Sequence, residues 1–387
     1  MNGVKYSNLI SNPSTLQLTM NTPLNPAEAI KGFAIFGDFV DVKPYGTGHI
    51  NDTFLATFDQ AGAPVRYTLQ HINTNIFKDP VGLMDNVKRV TEHSRRRLAE
   101  THAAEPSRRA LKLVPSVTGD VLHFDADGQA WRCYLFVEKC HTVDIVDSPA
   151  SAFEAARAFA RFQALLADLP GGRLNETIPD FHNTPKRYRD FHAALDADKM
   201  GRAKDVRPEI DFALSLEEDA GRLMRLMASG EMPERATHND TKINNVLLDD
   251  ATGEGICVID LDTLMPGSAL YDFGDMVRSA TLNMAEDSKD YKNVVCRRDI
   301  FEALAKGFVE AGDFLNAAEI GNMTFGGLLM TLECGVRFLT DYLDGDHYFK
   351  IHRPEHNLDR CRTQFALVKS IQDEYDQLQG FVDGLRR

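Results

Sequence analysis

The run Thr237-His238-Asn239-Asp240-Thr241-Lys242-Ile243-Asn244-Asn245, followed by Val258-Ile259-Asp260-Leu261-Asp262, constrains the fold more than any other part of the chain. Between the two, Val246-Leu247-Leu248 and Ile256-Cys257-Val258-Ile259 are short apolar, partly β-branched runs, and Asp249-Asp250-Ala251-Thr252-Gly253-Glu254-Gly255 is rich in turn formers. That pattern predicts a β-hairpin. Paired positions at hairpin ends lie about 4.5–5.5 Å apart between Cα atoms, so Asn245, entering the first strand, faces the neighbourhood of Asp260, leaving the second. An amide oxygen and a carboxylate so placed suit Mg2+, which takes one or two protein oxygens and completes its shell with water and phosphate oxygens. Asp240 falls on the loop before the hairpin, where it can face a substrate.

His-x-Asp-x-x-x-x-Asn, then a hairpin, then a strand ending in Asp is the order in which kinase-like phosphotransferases present a base and metal ligands. On that reading Asp240 accepts a hydroxyl proton and orients the oxygen for in-line attack on the γ-phosphate of ATP, and Asn245 and Asp260 hold Mg2+. An isolated His-x-Asp is common, and a loop Asp is ordinarily a turn or cap residue. The Asn at the required offset and the apolar strand ending in Asp turn the balance toward catalysis. His238 is expected to hold the loop through its ring nitrogens, and Asp262 is open between aiding the metal and capping the next loop.

Upstream, Tyr45-Gly46-Thr47-Gly48-His49-Ile50-Asn51-Asp52 separates two strand-like runs, Phe39–Lys43 and Phe54–Phe58. Gly46 and Gly48 would let backbone N–H groups approach a phosphate chain closely. A third strand, Val65–Ile72, lacks the lysine that pairs nucleotide phosphates in protein kinases, so Gln70, His71, Arg66 or groups elsewhere must hold the phosphates, with Gln70 taken as the candidate nucleotide contact. Residues 79–100 predict a helix with Val81, Met84, Val87, Val90 and Leu98 on its apolar stripe. Two further strands are expected at Lys112–Pro115 and Trp131–Val137, with Trp131 in the core. Glu138 opens a polar hinge whose backbone would read an adenine edge.

From Ser148-Pro149 onward, a cap and a first-turn proline, the pattern is helical, with segments near 150–169, 186–199, 208–229, 269–282, 298–312, 316–344 and 355–384. Asp272 and Asp275 are spaced to orient the catalytic loop or cap their helix. Arg337, Asp341 and Asp344 share one helix face, and spacing alone favours a surface ion-pair row over a polar pocket.

A net charge of −14 argues against a nucleic-acid partner. Arg95-Arg96-Arg97 and Arg108-Arg109 read as solvated helix face rather than phosphate sites. Six cysteines show no metal spacing and are expected to be reduced. No secretory signal or long apolar segment stands out, so the expected location is the cytoplasm with no membrane contact.

The assembled residues resemble the aminoglycoside/choline-kinase-like phosphotransferase superfamily, and within it the N-acetylhexosamine 1-kinases. The similarity runs from about residue 38 to 370 through Pro44-Tyr45-Gly46-x-Gly48-His49-Ile50-Asn51, Thr237–Lys242, Ile259-Asp260-Leu261-Asp262-Thr263-x-Met265-Pro266-Gly267-Ser268 and Pro354-Glu355-His356-Asn357-Leu358. The resemblance implies an α+β, bilobal protein-kinase-like fold. A polar N-terminal extension (1–25) precedes a nucleotide-binding lobe with a small β-sheet (26–140) and a larger, mainly helical catalytic and sugar-binding lobe (141–387). It implies transfer of the ATP γ-phosphate to the anomeric hydroxyl of GlcNAc or GalNAc by a monomer or weak homodimer. His49 and Asn51 would lie near phosphate and sugar, and Arg337 and Tyr348 would contact sugar hydroxyls or the N-acetyl group, against the spacing-only reading of Arg337. Other small-hydroxyl kinases, and a catalytically dead binding module, are the alternatives.

Overall fold

The computed structural model describes residues 24–46 and 50–385, so nearly all of the expected 1–25 extension lies outside the described residues. Strands β1 (Asp38–Pro44), β2 (Asp52–Gln60), β3 (Ala63–His71), β4 (His123–Phe124) and β5 (Ala130–Leu135) form an antiparallel sheet in the order β1-β2-β3-β5-β4. Strand alternation gives this sheet two different faces. Leu69, Trp131 and Cys133 point into a small core with Ala29, Ile30 and Phe33. On the other face Thr53, Gln70 and Arg132 stand side by side, because Thr53 pairs with Gln70 and Gln70 with Arg132 across three strands. Trp131 is fully buried, as expected, and its indole N–H donates to Asp125 at 2.8 Å.

The helix Pro80–Glu100 starts at the Asp79 cap and buries Met84, Val87, Val90 and Leu98. Val81, expected on the same stripe, is 62% exposed, because first-turn residues overhang the core edge. The strand expected at 112–115 is a single bridge, Leu113 to Tyr134, flanked by the Val114 N–H to the Cys133 carbonyl and the Leu135 N–H to the Lys112 carbonyl. The next donor along that edge, Ser116, turns its N–H to the Asp120 carbonyl instead. Three long helical expectations are also interrupted: 208–229 becomes Arg207–Ser215 and Arg222–Ala228, 316–344 becomes Ala317–Ile320 and Met323–Asp344, and 355–384 becomes His356–Asp373 and Tyr375–Gly384.

The larger part of the molecule is helical around one apolar core, and two small β elements are set into it. Strands β6 (Cys140–His141), β8 (Val246–Asp249) and β9 (Gly255–Val258) make one sheet. Strand β7 (Arg235–Thr237) pairs with β10 (Met265–Gly267) in the other. The expected hairpin is therefore present, with Val246 opposite Val258.

Helix Ala269–Ala280 lies against helix Met323–Asp344 at a glycine crossing. A Cβ on Gly274 would sit 2.3 Å from the Gly326 carbonyl oxygen, and one on Gly327 would sit 2.8 Å from Val277. Since backbone cannot yield as a side-chain tip does, Gly274→Ala is expected to lower stability by about 2–3 kcal/mol. A chemical-denaturation series against the parent checks this; an unchanged midpoint would show that the helices separate freely.

Candidate active site

The catalytic-loop sequence is held from beneath by the Ala269–Ala280 helix. Asp272, fully buried, accepts the backbone N–H groups of His238 at 2.9 Å and Asn239 at 2.7 Å, and Gln163 donates to it. Burial pushes its carboxyl up despite these donors. One turn on, Asp275 accepts the Thr241 N–H at 2.9 Å and Arg278 at 2.8 Å. Burial works against its charge, but Arg278 and Lys242 more than offset that and hold its carboxyl low. The two carboxylates hold the loop backbone, one of the two roles their spacing allowed.

His238 is buried and bridges two backbone groups. Its Nε2 lies 2.9 Å from the Ile259 carbonyl, which can only accept, so the ring carries its proton there and its Nδ1 accepts the Asp240 N–H at 3.3 Å. That ties the loop to the residue just before Asp260. Asn239 adopts a positive φ of 65°, its Oδ1 accepting from the Thr237 hydroxyl and its Nδ2 donating to the carbonyls of Thr237 and Thr263. This turn brings Asp240 to the cleft.

Asp240 has two neighbours that fix its carboxylate. Lys242 Nζ lies 2.9 Å from Oδ1, and Asn245 Nδ2 lies 3.3 Å from Oδ2 and 2.8 Å from the Asp240 carbonyl. Asp240 is the first cause of the raised pKa of Lys242. Lys242 is a functional candidate to which the sequence reading gave no role, and its place two residues after the Asp on a tight loop was the available signal.

Asn245 and Asp260 come together as the hairpin predicted, with the Ile259 N–H donating to the Asn245 carbonyl at 2.9 Å. Because Asn245 spends its Nδ2 on Asp240, its Oδ1 is the atom left for a ligand. Asp260 sits at φ 59°, a left-handed conformation that Asp tolerates better than most residues. Asp260 is exposed, and its carboxylate has no hydrogen-bond or ion-pair partner among the described residues. Desolvation by the cleft walls, then the nearby charges of Asp262 and Asp240, push its pKa up to about 6. Among the described residues no group of three or more His, Cys, Asp or Glu side chains is arranged to hold a metal alone. One unpartnered carboxylate with one amide oxygen fits a cation that keeps waters and shares phosphate oxygens, which is Mg2+ rather than a caged metal.

Other expected contacts are placed differently. Gln70 is engaged within the sheet: its Nε2 donates to Thr53 at 3.0 Å and its Oε1 accepts Arg132 at 2.9 Å. Asn51 is likewise committed, donating to Asp262 and accepting the Asn73 N–H at 3.0 Å. The Glu138 side chain pairs with Arg66, and its carbonyl accepts Arg108 at 3.0 Å, leaving the backbone N–H as its one open group among the described residues. Gly46 keeps its expected turn, with φ 78° and open space where a Cβ would be. Gly48 and His49 lie outside the described residues. Arg108 and Arg109 serve structure, pairing with Asp249 and Glu254.

Arg337 and Tyr348 do meet, the guanidinium donating to the phenol at 3.2 Å. The guanidinium also lies 5.4–5.7 Å from the ring centres of Phe181, Tyr348 and Phe349. Phe181 adjoins His182, which bonds the Asn239 carbonyl at 3.2 Å and Glu333 at 2.8 Å, so this cluster is linked to the catalytic loop. The expected surface ion-pair row does not form. Asp341 is buried and accepts the N–H groups of His347, Tyr348 and Phe349 at 2.8–2.9 Å, together with Asn357 at 2.8 Å, while Asp344 turns outward to Lys199. Asp341 therefore fixes the backbone that presents Tyr348.

A small antiparallel sheet set on a helical body, with a loop carboxylate beside a hairpin Asn and Asp, defines the α+β aminoglycoside/choline-kinase-like architecture. The chain belongs to the phosphotransferase enzyme family, whose profile matches residues 41–303. Its fold is similar to that of an aminoglycoside phosphotransferase from Alicyclobacillus acidocaldarius, at 13% identity and TM-score 0.53, covering 94% of this chain and 96% of the other. It is similar also to a choline kinase from Cryptosporidium parvum, at 13% identity and TM-score 0.51, covering 90% and 93%. No helix of the described residues is long and apolar enough to cross a membrane.

Proposed function

We propose that the protein is an ATP-dependent kinase that phosphorylates the anomeric hydroxyl of an N-acetylhexosamine. Asp240 accepts the proton of that hydroxyl as its oxygen attacks the γ-phosphorus, the bond to the ADP oxygen breaks, and the sugar 1-phosphate and ADP leave. A hemiacetal hydroxyl is more acidic than an ordinary alcohol, so a single oriented carboxylate suffices as base. Asn245 and Asp260 would hold Mg2+, which when bound neutralises phosphate charge. Asn245 also orients Asp240 through its Nδ2, and Lys242 fixes the opposite carboxylate oxygen.

One observation favours a neutral sugar over a cationic acceptor. A choline site wants an aromatic cage open to a cation, and here the rings of Phe181, Tyr348 and Phe349 already surround the Arg337 guanidinium. Arg187 lies close by, its pKa lowered by burial and by the charge of Arg337. Two guanidiniums repel choline and polycationic aminoglycosides alike, whereas hydroxyl and acetamide oxygens can accept from them. The choice of C1 rests on the sequence resemblance.

A coupled ADP-release assay over GlcNAc, GalNAc, glucose, galactose, choline and an aminoglycoside tests the reading; turnover confined to choline or the aminoglycoside would overturn it. Arg337→Ala is expected to raise the acceptor KM about 10- to 100-fold, the loss of a hydrogen bond from a charged donor, with the ATP KM unchanged. Equal effects on both KM values would remove Arg337 from the acceptor site.

A further inference from the structure

Strand β3 carries no lysine and its one arginine, Arg66, is paired with Glu138, while the carboxylate of Asp262, two residues beyond the proposed metal ligand, is bound by two residues of the small-sheet part of the chain. Arg132 of β5 forms an ion pair with one oxygen and Asn51 donates to the other. The side chains of Arg132 and Asp262 are almost wholly buried, at 1% and 3% exposure. Gln70 orients the guanidinium from the next strand, and Thr177 donates to the Asp262 carbonyl at 2.7 Å. Asn51 stands just after the glycine turn, and its other amide atom is held by the Asn73 N–H, whose own side chain bonds the Ile50 carbonyl at 3.2 Å. The return limb of the turn, the sheet and the exit of the catalytic hairpin thus converge on one carboxylate. A desolvated ion pair is weak evidence for stability, since apolar replacements of similar volume are often neutral or better; fixing register is its best-attested use.

We propose that Arg132, Asp262 and Asn51 form an interlobe clamp that sets the position of Asp260 relative to Ile50–Asn51 and the small sheet, and so the affinity for metal-bound nucleotide. Arg132 is a positioning residue: it is too deeply buried to touch phosphate, and through Asp262 it joins the small sheet to the exit of the catalytic hairpin. Asp262 is neither a metal ligand nor a simple cap. The proposal rests on the phosphotransfer reading but is independent of the acceptor.

The test compares the parent, Asn51→Ala, and the double variant Arg132→Met/Asp262→Asn, which removes both buried charges together. Binding of Mn2+-ADP is followed by the paramagnetic resonance of free Mn2+, alongside KM values for both substrates, kcat and a thermal melt. Asn51→Ala is expected to weaken Mn2+-ADP binding and raise the Mg-ATP KM about 10-fold, the scale of a hydrogen bond to a charged group, with acceptor KM unchanged. The double variant is expected to lose at least as much while melting cooperatively. Parent-like Mn2+-ADP binding in a folded double variant would overturn the clamp, and should that variant not fold, parent-like binding in Asn51→Ala does so alone. A parent that binds no Mn2+-ADP would overturn the phosphotransfer reading, and the clamp with it.

Discussion

Asp240→Ala is expected to lower kcat by about 10²- to 10⁴-fold, the usual contribution of a positioned general base, while leaving the fold and nucleotide affinity intact. The fold should survive because the loop does not depend on this side chain: Asp272 and Asp275 grip the backbone at His238, Asn239 and Thr241, and His238 holds the loop to Ile259. What the substitution removes is the one carboxylate that the loop carries into the cleft, and it frees Lys242 and the Asn245 amide from their partner. Single-turnover kinetics with a matched melting curve checks this. Turnover near that of the parent would show that the proton leaves by another route.

Asp260→Asn should all but abolish metal-dependent nucleotide binding, because Asn245 is then left with no charged oxygen opposite it. Calorimetric titration with Mg-ATP reads this directly, and an affinity equal to the parent's would exclude Asp260 as a ligand. The same variant should not lower the stability of the ligand-free protein. Asp260 is crowded by Asp262 and Asp240 and has no compensating partner, so its ionisation costs the folded state. With a folded pKa raised to about 6, above the ordinary carboxylate value, the native state binds the extra proton. This group therefore contributes stability at low pH that is lost as pH rises through about 6. Asp260→Asn should flatten that part of the stability profile. In the parent, metal-nucleotide affinity should fall as pH drops through the same range, since the protonated acid is a poor ligand.

The catalytic hairpin was legible in the sequence because local chemistry determines it: β-branched runs, a turn-rich spacer and a fixed offset place Asn245 against Asp260 whatever the rest of the chain does. The support from Asp272 and Asp275 was legible for a similar reason, since helical spacing puts both on the face toward the loop. What could not be read there depends on register between distant strands. Gln70 looked free until β3 was laid beside β5, which brings Arg132 alongside it and commits both. The ambiguity of Asp262 resolves only when Asn51 and Arg132 arrive from parts of the chain more than a hundred residues away. Asp341 was misread as a surface charge because spacing identifies a helix face but not what covers it. Here the covering segment is His347–Phe349, folded back to give that carboxylate its backbone N–H groups. Pairing along 112–115 stopped short because the next donor, Ser116, bonds the Asp120 carbonyl of its own turn.

The most direct test of the proposed function is the position of the phosphate on the product. After turnover with ATP and GlcNAc or GalNAc, a phosphorus–proton correlation spectrum should show the new phosphorus coupled to the anomeric proton of the sugar, with one ADP formed per phosphorylated sugar. Phosphorus coupled instead to the C6 protons, or ADP formed without any phosphorylated sugar, would contradict transfer to the anomeric hydroxyl.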